Sequence, residues 1–155
     1  MDERLMKFSF TLGKDRKVEA DLSRDLEIDT SSPEVIAQQL DKSPSIVYYW
    51  GSAYELAVVM ETNSKHAFEK WYASVYEDVK KALIAEYGKT ATTEGAIKNA
   101  IMNKYPEKMD EWHKEMTSSK YRKSMLGLAK EAFSRKHDAL VNLLAYYRRL
   151  AENGG

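Results

Sequence analysis

Residues 118–140, SSKYRKSMLGLAKEAFSRKHDAL, set Lys120, Arg122, Lys123, Lys130, Arg135 and Lys136 against only Glu131 and Asp138. Lys120, Lys123, Gly127, Lys130, Ser134 and His137 step by three and four, so on a helix they share one face. Cations separated by small residues let a phosphate backbone approach closely, which is the chemistry of sequence-independent nucleic-acid binding. The same face would equally serve as solvated surface with Gly127 as a packing notch, and the spacing leaves both readings open. Arg135, Lys136, Arg148 and Arg149 widen the positive field. Arg122 falls towards the core side, where it either touches DNA or pairs with an acid on a facing helix.

Aromatic residues interleave with cations in KHAFEKWY (residues 65–72) and in YYRR (residues 146–149). That combination stacks unpaired bases beside their phosphates. Phe68 and Trp71 fit a core stripe, which leaves Tyr72 and Tyr146 as the stacking candidates. Signals for bond-making chemistry are thin. His66, His113 and His137 are far apart in sequence. Asp110 and His113 make half of a helical di-metal pattern whose second half is missing. Asp25, Glu27 and Asp29 alternate in DLEID, where a nuclease could hold a divalent ion, although an acidic entry segment is the commoner use. The chain has no cysteine, P-loop, GxGxxG or GxSxG. No enzyme, no metal site and no cofactor are expected.

Positioning these residues falls to a chain of 155 residues with equal numbers of acids and cations. That length fits one domain with a modest core. The neutrality is uneven, with a balance of −3 over residues 1–43, −2 over 44–111 and +5 over 112–155. No apolar run approaches the ~18 residues that span a bilayer, and MDERLMK is a charged start without a signal peptide. A soluble, cytoplasmic protein with no membrane partner is expected.

MKFSFTLG and KVEADL alternate apolar and polar residues around Gly13-Lys14-Asp15, which predicts a β-hairpin over residues 6–22. An isolated hairpin is marginal, so it must pack on a helix or pair with another subunit. Ser32-Pro33 opens a short helix to about Lys42, and Ser43-Pro44 opens a long one to about Tyr87. Its apolar stripe runs through Val47, Trp50, Tyr54, Ala57, Phe68, Trp71, Val75 and Ala82, with Glu61 and Ser64 as polar exceptions. Gly88 ends it, a threonine-capped helix follows over residues 93–103, and Tyr105-Pro106 starts a second long helix to about Leu150. The last residues, 152–155, fray. Leu126, Ala129, Phe133 and Leu140 give its core stripe, one residue offset from the basic one. The expected fold is mainly α, with two long antiparallel helices, short connecting helices and an N-terminal β-hairpin. Residues 1–24 form the hairpin extension and 25–155 the helical domain. Tyr48, Tyr49, Tyr72, Tyr146 and Tyr147, with Trp50 and Trp71, exceed what one helical hairpin covers, which points to a homo-oligomer.

The order of these elements resembles the UvsY-like recombination mediators of bacteriophages. DLEIDTSSPEVIAQQLDKSPSIVYYW, the Thr-rich link TATTEGAIKNAI and SSKYRKSMLGLAKEAFSRKHDALVNLLAYY carry the likeness over residues 25–150. The resemblance implies a helical fold, binding of single-stranded DNA and a ring of subunits. It also implies help to a RecA-type recombinase in replacing the single-strand-binding protein, in the host cytoplasm if the chain is phage-encoded. The family's Lys-x-Arg patch on the first long helix has no direct match, and Lys65, His66 and Lys70 stand nearest to it. The hairpin lies outside the likeness and would join neighbouring subunits by edge pairing.

The expected function is therefore a DNA-binding mediator of recombination and repair. Its contacts would come from Lys120, Lys123, Lys130, Arg135, Lys136, Arg148 and Arg149, with Lys65, Lys70 and Tyr72. The alternative is a helical assembly or scaffolding protein that meets another protein through exposed aromatics.

Overall fold

The computed structural model describes residues 6–154; residues 1–5 of the charged start, and Gly155 of the end expected to fray, lie outside the described residues, while Glu152 and Asn153 of that end are helical. Strands β1 (Lys7–Leu12) and β2 (Arg16–Asp21) pair antiparallel, with Leu12 opposite Arg16. Then come a single helical turn α1 (Leu22–Asp25), the long helix α2 (Pro33–Tyr87), the short α3 (Glu94–Lys104) and the long α4 (Pro106–Asn153). The protein is mainly α, with a long helix pair and an N-terminal hairpin. Gly13, at φ +68°, takes the left-handed turn position between the strands, which costs a glycine little.

The chain divides into two compact units. One comprises the chain up to Val58 together with everything from Arg122 onward; the other is Val59–Tyr121. The hairpin thus belongs with the first part of α2 and the greater part of α4.

In the first unit, Leu12, Val18 and Ala20 are the buried face of the hairpin, and Leu22 of α1 is buried as well. Phe8 meets Trp50 edge-on at 6.0 Å, and Trp50 stacks parallel on Phe133 at 5.2 Å. Pairing of Ser43 with His137, Trp50 with Phe133 and Glu55 with Lys130 runs the two helices antiparallel there. The hairpin is packed on a helix, which removes the marginality of an isolated one.

One expectation fails at Pro44. The short helix and the long one are a single helix of 55 residues with Pro44 inside it. An interior proline removes a hydrogen bond and crowds the preceding turn, at a cost of about 3 kcal/mol. Ile36, Ser43, Trp50 and Ala57 are all buried and recur every seven residues. Only an unbroken helix keeps that stripe on one face, and its burial offsets the proline. Ser43 is accordingly not a cap: its hydroxyl lies 3.0 Å from Nδ1 of His137. Ser32 does cap the helix, accepting from the Val35 N–H at 3.2 Å.

In the second unit, Ser64 donates to Glu115 at 3.1 Å, while Phe68 and Trp71 meet Trp112 and Trp71 meets Tyr105. α2 and α4 are antiparallel here too. α3 closes the unit by burying Ile97 and Ile101 against Val79. The buried position is Val79, and Ala82, expected in the stripe, is exposed. Thr93 caps α3 as its position predicts, accepting from the Ala96 N–H. The Tyr76 hydroxyl donates to Glu94 at 2.6 Å, and this bond pushes the phenol up to about 12, because ionisation would set two anions together.

Candidate nucleic-acid interface

The candidate cations fall into both units, and the structure treats them unequally. In the first unit Lys130 lies 4.8 Å from the centroid of the Tyr54 ring and 3.8 Å from a carboxylate oxygen of Glu55. Arg135 pairs with Glu131 one turn back. Lys123 is half-buried. Gly127 is not an opening for a phosphate backbone: a Cβ there would come 3.2 Å from Cε2 of Tyr54. The glycine is a packing notch that lets the Tyr54 ring lie across α4, where it also meets Lys130.

Lys136 is the clearest departure from the expected track. Its Nζ donates to the backbone carbonyls of Asp25, at 2.9 Å, and Glu27, at 2.8 Å. Burial pushes its pKa down, opposed by the charges of Asp25 and Glu27. The side chain ties α4 to the segment between hairpin and α2. Its substitution by methionine removes two charge-assisted bonds, partly compensated by recovered desolvation. We expect a loss of about 1–2 kcal/mol in chemical denaturation. Amide exchange at Leu26 and Glu27, whose N–H groups bond within this turn, should accelerate about tenfold. Unchanged exchange at both amides would show that Lys136 does not hold the segment.

The carboxylates of Asp25 and Asp29 in DLEID are likewise engaged within the chain. Asp25 accepts from the Asp21 N–H at 3.0 Å and from Arg24. Asp29 accepts from the Ser31 N–H, and the Ser31 side chain first, with this backbone bond, holds its carboxyl below the usual range. Gln39 closes the turn by donating to the Asp29 carbonyl and accepting from the Asp29 N–H. Asp110 pairs with Lys114 at 2.8 Å, which lowers its pKa. Among the described residues no three His, Asp or Glu side chains group to hold a metal.

Arg148 and Arg149 are exposed near the end of α4, and no ion pair among the described residues engages either. Tyr146 beside them is 57% exposed and its ring leans edge-on against Tyr147. Here a stacking face and two cations without an ion pair among the described residues share about one turn of helix. Arg122 adds a feature that the sequence left open. Its Nε and Nη1 are buried with no hydrogen-bond partner among the described residues. Buried guanidinium donors without an acceptor are costly.

No protein-family model, characterised protein or solved structure matches this chain.

In the second unit two candidates distant in sequence come together. Lys65 of α2 and Lys120 of α4 line one cleft of about 600 Å³. His66 and His113 line it too, although nothing in their sequence spacing signalled a meeting. Lys65 and His66 are shared with Glu69, at 3.9 and 3.5 Å. Lys120 has no ion pair among the described residues, and neither does Lys70, which lies exposed on α2. Tyr72, expected as a stacking face, is half-buried against the Val79–Ile97–Ile101 cluster and leans on Phe68 at 5.8 Å.

Proposed function

We propose that this protein binds single-stranded DNA and acts as a recombination mediator, helping a RecA-type recombinase to replace a single-strand-binding protein. The observation that carries this reading is the end of α4, where Arg148 and Arg149 stand unneutralised beside the exposed ring of Tyr146. Lys120 and Lys70, both exposed and without an ion pair among the described residues, support it. Weak contacts of this kind give useful affinity when a ring of subunits presents them repeatedly to one strand, so the proposal includes a homo-oligomer. The work is positional: the strand is held in a form that the recombinase accepts, and no covalent step is required.

The test is fluorescence anisotropy with labelled single-stranded and duplex oligonucleotides at low and near-physiological salt. Single strands should bind more tightly than duplex, and more weakly as salt rises. Arg148→Ala with Arg149→Ala should weaken binding evenly across sequences and reduce the slope of log K against log salt by about 1.4. Both residues are exposed, so this variant reads binding without disturbing packing, unlike Lys130→Ala. Absence of binding at low salt would overturn the proposal.

A second reading, a scaffolding protein that binds another protein, is favoured by Ile46, Tyr48 and Tyr49. These are exposed on adjacent positions of α2, Tyr48 at 77%. It predicts self-association that is indifferent to oligonucleotide.

A further inference from the structure

The cleft of the second unit opens beside a smaller apolar pocket of about 420 Å³, and His113 and Met116 line both. The two walls of the charged cleft differ. α2 supplies Glu61 and Glu69 with Lys65 and His66, whereas α4 supplies His113, Thr117 and Lys120 and no acid. An anion is therefore favoured on the α4 side, where a lysine, an imidazole and a hydroxyl stand on successive turns. The apolar pocket is walled by Phe68, Tyr72, Trp112 and Met109, with Lys98 also lining it. Nε1 of Trp112 is buried and has no hydrogen-bond partner among the described residues. An indole N–H left this way costs free energy that an acceptor on a bound ligand would return.

An anion seat joined to an aromatic pocket with an open donor matches the two halves of a nucleotide. We propose that these adjoining pockets hold one nucleotide unit. Its phosphate lies against Lys120, Thr117 and His113, its base lies on the Phe68–Trp112 wall, and a turn of the Trp112 ring as the base seats brings Nε1–H to a carbonyl oxygen or ring nitrogen of the base. For a nucleotide within a strand this rests on the single-stranded DNA reading; a free mononucleotide offers the same chemistry.

The experiment compares a thymidine oligonucleotide with an abasic strand of equal length, by anisotropy at low salt. A parallel titration follows thymidine monophosphate by tryptophan fluorescence, since Trp71 and Trp112 both lie in this unit. The thymidine strand should bind about tenfold more tightly than the abasic one. Trp112→Phe, which keeps an aromatic ring, should weaken the thymidine strand about fivefold and leave the abasic strand unchanged. Lys120→Ala, at an exposed position, should weaken both strands alike.

If both strands bind equally, or if neither substitution changes affinity, the nucleotide seat falls while the DNA-binding reading stands. If neither strand binds but thymidine monophosphate quenches the fluorescence, and Lys120→Ala, which keeps both tryptophans, shifts that titration to higher concentration, the DNA-binding reading falls and the seat stands for a free nucleotide. If neither strand nor the mononucleotide binds, both are overturned.

Discussion

Trp50→Ala should destabilise the first unit by about 3–5 kcal/mol, the range for emptying a large aromatic site in a core. Trp50 is 4% exposed and is the meeting point of three elements. Phe133 of α4 stacks on it, Phe8 of β1 meets it edge-on, and the neighbouring Tyr49 ring lies perpendicular to it at 5.2 Å. Removing the indole strips the hairpin of its aromatic support and α2 of a member of its seven-residue stripe. The offset against Pro44 shrinks with it. The measurement is denaturant unfolding followed by circular dichroism and by fluorescence together. The remaining two tryptophans, Trp71 and Trp112, belong to the second unit. The fluorescence of the variant therefore reports that unit while the dichroism reports the whole chain. A dichroism midpoint within error of the parent would show that the hairpin and the helices do not depend on this ring.

The second large effect is expected in the other unit. Ile101 is 0% exposed and packs with Val79 and Ile97 where α3 joins the helix pair. Ile101→Ala removes buried methyl and methylene groups and leaves a cavity, at a cost of about 2–5 kcal/mol, whereas Ile101→Val should cost only about 0.5–1.5. α3 is short, and it depends on this cluster more than on its own helical propensity. The amides of Ile97 and Tyr105, bonded to the carbonyls of Thr93 and Ile101, should lose protection first. Protection of α3 in Ile101→Ala equal to that of the parent would mean that the Thr93 cap and the turn alone hold it.

Much of this architecture was legible in local pattern. The period-two alternation of Phe8, Phe10 and Leu12 with Val18 and Ala20 marked the hairpin. Thr93 and Pro106 marked the helix starts because capping depends on a few neighbouring residues. Pro44 misled for the same reason: its local signal was real, but the decisive term was the burial of Ile36, Ser43, Trp50 and Ala57, from about two turns before it to about three and a half turns after. The candidate interface was read less well. Spacing on one helix assigns a residue to a face and says nothing of what stands opposite. Lys136 therefore looked like a free cation until the carbonyls of Asp25 and Glu27 came to meet it. Gly127 looked like a gap until Tyr54 filled it. The approach of Lys65 and His66 to His113 and Lys120 had no signal, because it depends on the register between two helices about fifty residues apart.

The two units also differ in when their residues become available. Val59–Tyr121 is one continuous stretch, whereas the other unit needs both ends of the chain, joined for instance by the bonds of Lys136 across 111 and 109 positions. During vectorial synthesis the hairpin and the start of α2 leave the ribosome long before Phe133 and Leu140 exist to cover them. Phe8, Ile36 and Trp50 then wait with their apolar faces uncovered, while the middle of the chain is made from one continuous stretch. Nascent chains halted before residue 122 should accordingly be the species most prone to aggregate or to recruit a chaperone, and release of α4 should end that exposure.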